Sequence, residues 1–124
     1  MQFKTLVRPE HLNQHGNLFG GYMLLWVDEY AYITAIEDFP GMRFVTRGMG
    51  AASFTKGVRS GSVLTFNVTR QKIGYSSVTY EVDVTTRYIS SPNPTPVFNT
   101  TVTLCAVTSD GQKLPLPRIS SESR

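Results

Sequence analysis

The sequence predicts an α+β domain, a curved antiparallel sheet wrapped around one long central helix. Three observations lead there. Only residues 20–37 hold apolar residues at helical spacing without a proline. Beyond Gly41 the apolar period changes to two and stays there through several segments. The helical stretch is apolar on nearly every side, so it requires enclosure.

Residues 2–8 read as a short first strand, and residues 9–19 carry turn residues without a period, which predicts a loop. The helix follows, with Leu24, Leu25, Ala31 and Ala35 at its spacings, and Phe39-Pro40-Gly41 ends it because proline cannot continue the ladder. Residues 43–47 and 49–56 read as one long, kinked strand with Gly48 and Gly50 as bulge candidates. In residues 63–72, Leu64, Phe66 and Val68 share a parity. Val78, Tyr80, Val82 and Val84 do so in 77–87, and Phe98, Val102, Leu104 and Ala106 in 97–108. Each alternation predicts one buried and one wetter sheet face. The 124 residues suit one domain, placed over 1–117. Residues 112–124 are polar and rich in proline and serine, which predicts a stretch that is loose unless docked, with a flexible C-terminal tail at 118–124.

Composition narrows the function classes. The single cysteine, Cys105, excludes an internal disulfide and a cysteine-based zinc site. No apolar run approaches the roughly 20 residues of a membrane span. The opening residues lack a charged segment leading into an apolar one, so a cytoplasmic protein without membrane association is expected. Two Asn-x-Thr acceptor patterns, at Asn67 and Asn99, carry no weight without export. The net charge of +3 fits anionic ligands in general. Charged residues make up 17% of the chain, below the usual share of roughly a quarter. That scarcity fits a surface partly covered by another subunit.

Asp28 is the anomaly. It sits mid-helix among Leu24, Leu25, Trp26, Val27 and Ala31, where a carboxylate is costly to bury unpaired. It reads equally as a surface acid, the role expected of neighbouring Glu29, or as a functional acid. The loop Asn13-Gln14-His15-Gly16-Asn17-Leu18-Phe19-Gly20-Gly21 runs straight into the helix start. Glycines there either permit tight packing or let a ligand approach the free N–H groups and the positive end of the dipole. An N–H cluster and a carboxylate are the two parts that acyl hydrolysis needs.

The string Pro9-x-His11-x-Asn13-x-x-Gly16-x-x-Phe19-Gly20-Gly21, followed by Asp28-Glu29, resembles the hotdog-fold acyl-CoA thioesterases, in particular the bacterial and cytosolic acyl-CoA hydrolases. Val45-Thr46, Phe54, Lys56, Val58 and Gly61 continue the likeness, as do Gly74-Tyr75-Ser76-Ser77 and Gly111-Gln112-Lys113 before Leu114-Pro115. It covers residues 5–117. The chain departs from the pattern at Gly57, where the family has proline, at Ser62, where an acid is usual, at Lys56, where arginine is common, and at Ser53, often a larger residue.

The resemblance implies hydrolysis of acyl-CoA to a carboxylate and coenzyme A. Asp28 would be general base or nucleophile, Asn13 would position water or the thioester carbonyl, and the N–H groups near Gly20 and Gly21 would stabilise the oxyanion. Phe19, Lys56, Arg59, Ser76 and Ser77 would bind substrate, the basic pair meeting coenzyme A phosphates. No cofactor is implied, since coenzyme A belongs to the substrate. The site is expected between subunits, with Asn13 and Asp28 from different copies of a homodimer or a trimer of dimers.

Other readings have less behind them. A non-catalytic acyl or acyl-CoA binding protein on the same fold would keep the groove and use Asp28 structurally. Nucleic-acid binding is disfavoured, because no strand interleaves aromatics with Lys or Arg. A hotdog hydratase needs an acid–histidine pair that does not map here. His11 and His15 lie in a loop without a third ligand, so no metal site is expected.

Overall fold

In the computed structural model, residues 1–117 are described. The tail expected at 118–124 lies outside them. The chain forms β1 (Gln2–Leu6), α1 (Gly20–Asp38), β2 (Arg43–Met49), β3 (Ser53–Phe54), β4 (Val63–Ile73), β5 (Ser77–Arg87) and β6 (Thr95–Val107). All strand pairs are antiparallel, in the order β1-β4-β5-β6-β2, with β3 pairing further along β6. The helix therefore crosses from the β1 edge of the sheet to the β2 edge, lying in the sheet's concave face.

The period-two parities point at that helix. Leu64, Phe66, Val78, Tyr80, Val82, Val102, Leu104 and Ala106 are buried against Met23, Trp26, Val27, Ala31 and Ala35. An aromatic chain fixes the β1 side: Phe3 stacks on Tyr30 at 4.4 Å, and Tyr30 meets Phe66 edge-on at 4.9 Å. Phe39 is buried at the helix end, its N–H bonded to the carbonyl of Ala35, and Gly41 turns the chain at φ +86°. Only glycine adopts that backbone freely.

Three expectations change, and for the stretch after β6 the stated condition, docking, is met. The first strand stops at Leu6, and the loop after it holds a 3-10 turn, Pro9–His11, and a bridge between Leu12 and Leu18. The long kinked strand is two strands: β2 is irregular between Thr46 and Gly48, and pairing stops after Met49 until Ser53. The stretch after β6 is docked as far as Leu116, since Lys113 bridges Val107 and the N–H groups of Leu114 and Leu116 reach the carbonyls of Ala106 and Tyr75. The helix is enclosed on one side only. Leu24, Leu25 and Tyr32 stand on its open side, with Leu25 56% exposed.

The helix ends on a carboxylate, the unfavourable sign for its dipole. Asp38 has a side chain only 1% exposed, paired with Arg70 at 3.5 Å on β4. The Tyr80 hydroxyl of β5 donates to it at 2.7 Å. A buried charge needs such partners, and these fasten the helix C-terminus to two strands. Replacing Tyr80 by Phe should cost about 1–3 kcal/mol, because a buried charge loses a donor while the ring packing survives. Urea unfolding at one fixed protein concentration measures it, and an unchanged midpoint would rule this fastening out.

Candidate active site

The loop before the helix is organised by Asn13. Its Oδ1 accepts from the backbone N–H groups of His15 at 2.9 Å and Asn17 at 3.2 Å. The backbone N–H of Asn13 donates to the carbonyl of Asn17 at 2.7 Å, and Gly16 takes φ +81° at the tip. With Oδ1 so used, the Nδ2 amide is the part of Asn13 left to donate to another group. The loop is latched on both flanks: Leu18 N–H bonds the carbonyl of Val58 and Phe19 N–H that of His11. His11 packs at 4.8 Å on Tyr22 and 4.9 Å on Trp26, and its Nδ1 accepts from Arg8 N–H. It is a packing residue that sets the loop on the helix.

The helix begins without a side-chain cap at Phe19. Tyr22 N–H bonds back to the carbonyl of Phe19, while those of Gly20 and Gly21 take no backbone partner among the described residues. First-turn donors of this kind, at the positive end of a dipole, favour an oxyanion. Gly20 lies in a groove of about 410 Å³ with Asn13, Asn17, Phe54, Lys56 and Gly57. A Cβ on Gly20 would stand 3.5 Å from the Phe54 ring, so the ring closes over the helix start.

Asp28 stands about 12 Å further along the helix axis, at 1.5 Å per residue. It is half-buried on the open side of α1, in one stripe with Gly21, Leu24, Leu25 and Tyr32. Its Oδ1 accepts a hydrogen bond of 2.6 Å from the Thr46 hydroxyl on β2. That bond fixes the carboxylate and leaves Oδ2 available. Thr46 was legible only as half of the Val45-Thr46 match, because its approach to Asp28 is a tertiary fact. Phe54 and Asn17 were likewise not singled out as site residues, and the structure puts both in the groove.

The predicted residues fall into separate places within one chain. Asn13 and Gly20 share the groove with Lys56, while Asp28 is beside Thr46 and outside it. Phe19 is 54% exposed at the helix start. The Arg59 guanidinium lies 3.8 Å over the Tyr88 ring. Ser76 is buried, its hydroxyl 3.5 Å from Cys105 Sγ, and Ser77 opens β5. The far end of β5, near Tyr88, is about 30 Å away at 3.3 Å per residue, so the serine pair and the basic pair do not meet in one chain. No group of three potential metal ligands occurs among the described residues.

Around the site runs an exposed apolar surface. Leu24 and Leu25 of the helix are joined in it by Phe19, Val45 (49% exposed) and Phe54. β2 is an edge of the sheet, and only Phe44 among its residues is buried. An unpaired edge beside an apolar patch is a surface shaped for association.

A Cβ at Gly57 would come within 2.9 Å of the Asn17 side chain. Gly57→Ala should therefore displace the Asn17 side chain while the backbone bonds of the Asn13 turn stay, costing at most about 1 kcal/mol of stability. A thermal melt beside the wild type checks this, and an equal midpoint would show that Asn17 moves freely.

A family model described as the thioesterase superfamily matches residues 15–88. An uncharacterized acyl-CoA thioester hydrolase of Buchnera aphidicola is 31% identical over 88 residues, 71% of this chain and 64% of that protein, so this chain spans less than two thirds of that relative's length. The acyl-CoA thioester hydrolase YciA of Salmonella typhimurium is 29% identical over 117 residues, 92% of this chain and 87% of its own. Among solved structures, a hexameric thioesterase from Yersinia pestis aligns with a TM-score of 0.87 and 29% identity over 94% of both chains.

Proposed function

Because the chain belongs to the thioesterase superfamily, we propose that it is an acyl-CoA thioesterase whose site is completed between two copies of itself. The observation that carries this reading is the Asp28 carboxylate, oriented by Thr46 at 2.6 Å on an apolar, solvent-exposed helix stripe. A catalytic base has to lie within hydrogen-bond reach of the water it activates. An oxyanion donor has to lie about 3 Å from the carbonyl oxygen. Gly20 and Asp28 of one helix, about 12 Å apart, cannot serve one carbonyl. A second copy seated on the open helix face would bring its own loop to Asp28. The named likeness to acyl-CoA thioester hydrolases and to a hexameric thioesterase supports both parts of the reading.

In the proposed reaction, acyl-CoA and water give a carboxylic acid and the coenzyme A thiol. Asp28 either takes a proton from water as it attacks the thioester carbon or attacks that carbon itself, giving an anhydride that water then opens. The N–H groups of Gly20 and Gly21 hold the negative oxygen of the tetrahedral intermediate. Asn13 Nδ2 donates to the carbonyl or the attacking water. The carbon–sulfur bond breaks when the intermediate collapses, and the thiolate leaves with a proton. Water and acyl-CoA suffice, without a cofactor. Phe19 contributes an apolar wall, Lys56 and Arg59 meet phosphates, and Ser76 and Ser77, remote from that basic pair in one chain, would approach the substrate from a neighbouring copy. Two or more copies assemble, as a dimer or a trimer of dimers. A lone buried cysteine fits a reducing cytoplasm.

Asp28→Asn keeps the side chain's shape and removes its charge. Thiol release from short-, medium- and long-chain acyl-CoAs should fall at least 100-fold in kcat, with the melting temperature held. Acyl-CoA binding without turnover in the wild type would show a binding protein instead. Equal turnover by the variant would remove Asp28 from the mechanism.

A further inference from the structure

The outer face of the sheet, turned away from α1, is polar and carries its charge in two separate places. Along β5, Glu81, Asp83, Thr85 and Arg87 alternate with the buried row and so share this face. Asn99 of β6 donates through Nδ2 to Glu81 at 3.2 Å and to Asp83, so one amide orders both carboxylates. The opposite sign lies further along the strand. Arg87 lines a groove of about 580 Å³ together with Lys4 of β1 and without an acid, over a floor that includes Thr65, Asn67 and Thr85. Lys4 Nζ donates to Thr65 Oγ1 at 2.8 Å, which lays the lysine along the same face. None of these acids and bases has an ion pair among the described residues. Asp83 and Arg87 of one chain cannot meet, since four residues of strand set them about 13 Å apart.

From this arrangement we infer that the outer face docks on the same face of a second copy across a twofold axis. A surface with its two signs set apart is complementary to itself after half a turn. An axis lying between the two faces, across β5 at Thr85, runs the two β5 strands in opposite directions. Asp83 and Arg87 each stand two residues from Thr85, so Asp83 of each copy faces Arg87 of the other. An aspartate and an arginine together span the roughly 10 Å between packed sheets. Lys4, Thr65 and Thr85 form one row across the sheet, with Lys4 at its β1 end. The outward curve of both faces carries the lysines of the two copies apart, and each adds to the cationic end of its own groove. This contact is distinct from the one proposed through the open helix face, and Asp28 has no part in it. A chain that uses both alternates two twofold contacts around a ring, which is how a trimer of dimers closes.

The test is the mass in solution, by light scattering at one protein concentration and low salt, of the wild type, Asp83→Arg, Arg87→Asp and the double variant that carries both changes. A circular dichroism spectrum of each shows that the sheet is kept, as expected for exposed positions. Each single reversal sets like charges face to face at both ends of the contact, and should lower the mass at least twofold. The double variant exchanges the two signs, restores opposite charges at both ends, and should return to the wild-type mass. A role of either residue within its own chain would not produce that rescue. An unchanged mass in either single variant would overturn the contact and leave the face to a different partner. A double variant that stays as small as the single ones, or a wild type that is already a monomer, would overturn it as well.

Discussion

Helix α1 carries more apolar surface than one sheet can cover. Met23, Trp26, Val27, Ala31 and Ala35 fill the concave face of the sheet, and Leu24, Leu25 and Tyr32 remain outside. Turning the helix cannot correct this, because the inward stripe is already packed against the buried rows of β4, β5 and β6. The open stripe is the constraint on which the rest depends. It lies beside the unpaired edge of β2, and it holds Asp28, a carboxylate in the middle of the helix that is bonded to another element. Association through this face would cover apolar surface and enclose Asp28 in a single step.

That geometry also divides the parts of the proposed site. The helix start offers donors at Gly20 and Gly21 and the amide of Asn13, ordered by the turn through Gly16 and by the latches to Val58 and His11. The helix middle offers the acid. Eight residues of helix keep them apart in one chain, so each copy would present a complete set of parts at two places and no complete site. A second copy related by a twofold axis would join donor to acid twice.

Much of this was legible in the sequence, for identifiable reasons. Strand parity was readable because β4, β5 and β6 each have one buried face, so apolar residues alternate. Asp28 stood out because a carboxylate breaks an otherwise apolar helix. What stayed open in the sequence depends on tertiary partners. The apolar helix implied enclosure, and composition has no means of saying whether a sheet or a second chain supplies it. Residues 113–116 have no periodicity, yet their backbone groups find acceptors on Ala106 and Tyr75. Thr46 is an ordinary strand threonine until the helix is laid beside it. Ser76, just before β5, has its hydroxyl 3.5 Å from Cys105 Sγ, a neighbour 29 residues away that no local spacing announces.

The shared site is tested most directly by complementation. Asn13→Ala and Asp28→Asn chains, each inactive or nearly so alone, would be assembled together in equal amounts. Random pairing makes half of the dimers mixed, and each mixed dimer has one site with both native residues and one with neither. About a quarter of the wild-type acyl-CoA hydrolysis should return if Asn13 and Asp28 act across a twofold interface. Activity no greater than the sum of the two parents would contradict a site built from two copies and put both residues to work, if at all, within one chain.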